Sequence, residues 1–217
     1  MHLLQLPFTE QQFLDVFGAY NTALWPFIVV LWLATGWVAI EVVRGCARGT
    51  TVSLLAAAHW AWSGVVYHAM FFSRINPAAW LFALMFVVQA FAFMWLGVLR
   101  RRLTFDWRGG LRHGLAGVFL AYSFIYPGLV LLTGHAFPRS PAAAVPCPTT
   151  LFTAGVLLAA IPPVPRMLLV IPIAWSLIGG SAAVLLGMPP DLMLLFAAAL
   201  LTLYAVSPQS LNGNVRA

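Results

Sequence analysis

The chain has 217 residues, of which 62% are hydrophobic and 7% charged, and its formal net charge is +6. With a mean hydropathy of +0.94, these values exclude a soluble globular domain, in which about a quarter of the residues are charged, and point to a polytopic membrane protein. The positive balance does not describe a nucleic-acid surface, because every basic residue is an arginine set in a short stretch between apolar runs, and a charge count acts through its location. The absence of lysine also excludes a retinal-type Schiff base, which needs an amine.

In chain order, Met1 to Asn21 lacks the basic start and small-residue cleavage site of a signal peptide and reads as mature sequence. Thr9-Glu10-Gln11-Gln12 has the spacing of a capping box, in which the threonine hydroxyl and the glutamine amide satisfy the free backbone groups of a starting helix. Phe13, Leu14, Val16, Phe17 and Tyr20 then form a broad apolar face beside polar Glu10, Gln11 and Asp15. Residues 1–22 therefore read as an interfacial segment, followed by a transmembrane domain at 23–206 and a cytoplasmic tail at 207–217.

The expected fold is all-α, a bundle of seven transmembrane helices. The spans run from Ala23 to Val43, Val52 to Ser73, Ala78 to Leu99, Gly114 to Thr133, Thr149 to Pro162, Met167 to Leu186 and Pro190 to Val206. The fifth is short for a bilayer that needs about 20 apolar residues, and Pro162, Pro163 and Pro165 end it sharply. Such a helix must tilt or be shielded by its neighbours. With the N-terminus outside, inner segments hold nine arginines, and the outer loops hold two, Arg74 and Arg139. The positive-inside rule then places the C-terminus in the cytoplasm. Cys46 falls inside and Cys147 outside, so the two cannot pair.

The second span carries His59, Ser63 and Tyr67 on one face and Trp60, Gly64 and His68 on the adjacent stripe. Ser63 and Gly64 allow a close helix approach. His59 and His68 are roughly 13 Å apart along the axis and point in different directions, so a haem held by both within this span fails. His59 reads first as a histidine bonded to a neighbouring helix. His68, His135 and Cys147 fall at the outer mouth, where they are candidate ligands for zinc or copper; a haem between His68 and His135 is a weaker alternative. Cys147-Pro148-Thr149-Thr150 reads either as a cysteine just ahead of a helix capped by a threonine, a place that favours a thiolate, or as a tight proline-bracketed turn in which a small, partly buried cysteine packs. Asn21, Gln89 and Tyr126 are candidates to line a substrate path. Tyr126-Pro127-Gly128 interrupts the fourth span and permits a kink, and Ile178-Gly179-Gly180-Ser181-Ala182-Ala183 is a small-residue packing surface.

The stretches FTEQQFLDVFGAYN, WAWSGVVYHAMFFSRINPAAWLF, GHAFPRSPAAAVPCPTTLFTAGVLL and LLVIPIAWSLIGGSAAVLLGMPPD resemble a family of bacterial integral membrane proteins known as a domain of unknown function. The resemblance covers nearly the whole chain and is carried by Glu10, Tyr20, Asn21, His68, Asn76, Pro77, Gly134, His135, Pro138, Cys147, Pro148 and Thr149. It implies a bacterial inner-membrane protein and no particular activity. The first functional expectation is a small permease-like protein that handles a metal ion or small polar solute at an outer-mouth site. Two alternatives stand beside it, a membrane-embedded metal- or haem-dependent enzyme and a non-catalytic transmembrane subunit. The expected surroundings are the lipid bilayer, with a membrane-protein complex or a homo-oligomer as partner and no nucleic acid.

Overall fold

Thr9 starts the first helix as its sequence dictates: its hydroxyl accepts from the Gln12 amide at 3.2 Å, and the Gln12 side chain accepts from the Thr9 amide at 2.8 Å. In the computed structural model, which describes residues 7–207, helix α1 runs from this cap over Glu10–Val43. It passes residue 22 without a break, so the amphipathic first turns and the apolar stretch after them are one rod. Residues 1–6 of the N-terminal segment and 208–217 of the tail lie outside the described residues.

Helix α2 covers Gly49–Ala61 and continues as π-helical turns over Trp62–Phe71 and a 3₁₀ turn over Phe72–Arg74. Helix α3 covers Ala79–Ala92 and likewise ends in π-helical turns, Phe93–Leu99. Helices α4 (Gly110–Leu132), α5 (Pro146–Ala159), α6 (Met167–Leu185) and α7 (Met193–Val206) complete the chain, α7 being entered through a 3₁₀ turn at Pro189–Leu192. Among the described residues there is no strand, and the fold is all-helical. Among the described residues, five helical stretches are long and apolar enough to cross a membrane: Glu10–Val43, Ala79–Leu99, Gly110–Leu132, Met167–Leu185 and Pro189–Val206.

The sixth apolar helix, α5, is the axis of the bundle. It has 14 residues, about 21 Å at 1.5 Å per residue, against a hydrocarbon core of about 30 Å. All of it except Cys147 is buried, packed most extensively on α4 with α1, α2, α6 and α7 around it. Its shortness is therefore resolved by shielding. It begins at Pro146, with Val145 as the N-cap and no side-chain cap. Neither Thr149 nor Thr150 caps it, because a proline at the first helical position is already set at a helical φ and lacks an N–H to satisfy. Cys147 consequently lies inside the first turn of α5.

The missing length ahead of α5 is made up by non-helical chain. Ser140, Pro141, Ala143, Ala144 and Val145 are buried, and buried backbone in a membrane protein must find its hydrogen bonds in protein. The side chains that supply them come from α1 and α2. The Asn21 amide donates to the Pro138 and Ser140 carbonyls at 2.6 and 2.8 Å. The Tyr20 and Ser63 hydroxyls both donate to the Ala144 carbonyl at 3.2 Å. Ala144 is held there at a left-handed φ of 59°, a conformation that costs an alanine roughly 1 kcal/mol. An Arg139–Asp15 ion pair at 2.8 Å ties the same loop to α1 at the surface.

At the other end of α5 a cationic side chain does the equivalent work. The Arg112 guanidinium donates to the Leu158 and Ala160 carbonyls, which the end of the helix leaves free. The Ile161 amide donates to the Thr104 carbonyl at 2.8 Å, so the 103–105 strip, with Leu103 buried, is pinned to the helix end. Close packing relies on small residues: a Cβ on Gly64 would stand 2.9 Å from the Phe86 Cβ of α3, and one on Gly180 would stand 2.5 Å from Leu195 of α7. The small-residue surface of the sixth span is thus the α6–α7 contact.

Candidate functional site

His68 stands out among the buried polar side chains because it is fully enclosed and unserved. It is 1% exposed, and neither ring nitrogen has a hydrogen-bond partner among the described residues. Its ring is surrounded by Phe82, Phe86 and Trp175, with centroid separations of 5.6, 4.9 and 5.1 Å, and by Tyr67 and Phe72 on its own helix. The Trp175 indole nitrogen is likewise buried without a partner. A buried imidazole or indole N–H left unpaired costs on the order of 1–3 kcal/mol, so two neighbouring cases need an explanation in function.

Both residues line a cavity of about 230 Å³ at the N-terminal end of α5. Its opposite wall is formed by the first turn of α5 and by the turn into α7. There the Tyr126 hydroxyl of α4 donates to Asp191 Oδ1 at 2.5 Å, and the Cys147 thiol is within hydrogen-bonding reach of the same carboxylate. One helical turn earlier on α4, the Tyr122 hydroxyl donates to the Pro190 carbonyl at 2.8 Å and fixes the turn that presents Asp191. The rest of the wall is mostly apolar, with Phe17, Tyr67, Phe72 and Phe82 among aliphatic residues and with Asn76 and Ser181 as further polar side chains. The π-helical turns of α2 carry Tyr67 and His68 into it, and π-helical segments often occur at functional sites.

Residues 10–217 match a protein family described as a family of unknown function (DUF6064). The chain belongs to this family. No curated protein and no solved structure matches it.

In this family member the residues singled out from sequence divide into two groups. His68, Cys147 and Tyr126 line the one cavity. His135 does not; it is half-buried on the loop after α4, with its Nδ1 3.0 Å from the Thr133 hydroxyl. Among the described residues no three of His, Cys, Asp and Glu form a group able to hold a metal ion, and His68, His135 and Cys147 are not brought together as such a group. Cys147 has a carboxylate for a neighbour, the partner least suited to a thiolate. Asn21 holds the loop carbonyls described above, and Gln89 donates from α3 to the Leu168 carbonyl at 3.1 Å; neither lines the cavity. His59 has the neighbouring-helix partner expected of it, the Thr35 hydroxyl of α1 at 2.9 Å.

Two residues of the site were not singled out from sequence, Asp191 and Trp175. Asp191 did leave a signal: it is the sole carboxylate after Asp106, and it follows Pro189-Pro190 at the head of an apolar run. Trp175 left none, since the chain has nine tryptophans and nothing in its neighbourhood marks this one.

Proposed function

We propose that this protein is a polytopic membrane protein that binds a small, mostly apolar ligand with a hydrogen-bonding head group in the cavity at the N-terminal end of α5. The observation that carries the reading is the pairing of an aromatic cavity with two buried, unpartnered nitrogen groups, His68 and Trp175, across from a carboxylate. Pockets of this make-up, apolar with a few convergent polar groups, are what small-molecule sites are built from. In this reading seven helical segments cross the bilayer with the N-terminus outside, which the nine-to-two arginine distribution supports, and the cavity lies at the outer level. Fully buried Trp60, Phe86 and Phe93 fill the bundle below it, which favours a blind binding pocket over a continuous channel.

A permease remains the second reading, favoured by the π-helical ends of α2 and α3, where a wider turn leaves room for a change of register. The test of the first reading is native mass spectrometry of the detergent-purified protein with 2-naphthol as a neutral probe. A saturable one-to-one adduct that disappears when Ala182→Trp fills the cavity supports it. No adduct, or one unaffected by filling the cavity, overturns it.

A further inference from the structure

The chemistry of the cavity also specifies the charge of its ligand, an inference that rests on the reading above. We infer that the cavity is a site for a small organic cation, a protonated or quaternary amine, with Asp191 as counter-ion and the surrounding aromatic rings as its cradle.

Asp191 is 5% exposed. Buried charges are paired, because leaving a carboxylate alone in a low-dielectric interior is costly. The contacts of Asp191 are the Tyr126 hydroxyl and the Cys147 thiol, two neutral donors. The ion pairs among the described residues are Arg108–Asp106 and Arg139–Asp15, and neither involves it. Among the described residues no arginine lines the cavity, and the chain has no lysine. His68 lines the same space but forms no ion pair with it. Among the described residues the cavity thus holds one carboxylate, held by the Tyr126 hydroxyl, and no cation paired with it.

The remainder of the wall suits the same class of ligand. Tyr67, Phe72, Phe82 and Trp175 line the cavity, and aromatic rings attract cations through their quadrupoles, most strongly where water is excluded. A hydrated inorganic ion would lose its water against this apolar surface with little return. An ammonium group carrying alkyl substituents has both the positive charge that Asp191 lacks and the apolar skin that the rings accept.

The experiment compares choline with 3,3-dimethylbutan-1-ol, which has the same shape and no charge, by calorimetric titration of the detergent-purified full chain. The expected result is that choline binds at least about ten-fold more tightly than the alcohol. Asp191→Asn should bring choline down to the level of the alcohol, and wild-type helical circular dichroism with a monodisperse elution profile shows that the variant is folded. Equal affinity for the two probes in the wild-type protein overturns the inference whatever the variant does. So does choline binding that survives Asp191→Asn. In either case 2-naphthol binding, blocked by Ala182→Trp, still upholds the cavity as a ligand site. If neither choline nor the alcohol binds, the cation inference falls, and the naphthol result alone decides the wider reading.

Discussion

The two ends of α5 follow opposite rules. At its C-terminal end the buried carbonyls of Leu158 and Ala160 are served by Arg112, the 103–105 strip packs against the helix stop, and little space is left. At its N-terminal end the loop carbonyls are served just as fully, by Asn21, Tyr20 and Ser63. Yet a step further in, His68 and Trp175 are left unserved around a cavity. Other buried polar atoms among the described residues also lack partners, namely Asn21 Oδ1, His59 Nδ1, Gln89 Oε1 and Ser176 Oγ, but they do not line this cavity. Two unpartnered nitrogens lining one cavity with Asp191 are what the proposed ligand site rests on, since functional sites are where stability is given up.

The contrast can be broken most forcefully at the closed end. Arg112→Ala removes both donors from buried helix-end carbonyls and should lower stability by roughly 3 kcal/mol, seen as a fall in the thermal midpoint in detergent. An unchanged midpoint would mean that the carbonyls find other partners. Gly49→Ala should cost roughly 2 kcal/mol, because its Cβ would come within 1.9 Å of the Leu103 carbonyl oxygen, a backbone atom that cannot swing aside. Free tolerance of alanine there would show the packing beneath α5 to be loose.

At the open end the expected losses are smaller. Asn21→Ala should cost about 1–2 kcal/mol by freeing the Pro138 and Ser140 carbonyls, and proteolysis should then cut between residues 134 and 145 before anywhere else. Cleavage elsewhere first would remove Asn21 from the role of loop clamp. His68 should lie at the bottom of the series.

How much of this was legible beforehand depended on the distance in sequence over which each feature is encoded. The capping box at Thr9, the stop after α5 and the small-residue α6–α7 contact are local patterns, and the helices follow them. The start of α5 was misplaced because threonines after Pro146 look like caps, while a proline at the first position needs none. His68 could be picked out as a histidine near one end of a span, and Tyr126 as a tyrosine beside a proline. The company they keep could not be read, because Asp191 reaches Tyr126 across 65 residues and no spacing rule links the two. His135 was grouped with His68 and Cys147 by level alone, and level does not say which way a loop turns. Asn21 illustrates the same limit: its amide partners lie 117 and 119 residues away, so its hold on the loop cannot be read from a polar side chain in an apolar helix.

The central claim is that His68 is held for a ligand and contributes nothing to the fold. It is tested most directly by the thermal unfolding midpoint of His68→Phe in detergent, without added ligand. Replacing an unpartnered buried imidazole by an apolar ring in an aromatic nest should leave stability within about 1 kcal/mol of the wild type or raise it. A loss of more than about 2 kcal/mol, comparable to that of Arg112→Ala, would show that the imidazole is bonded within the fold and contradict the account.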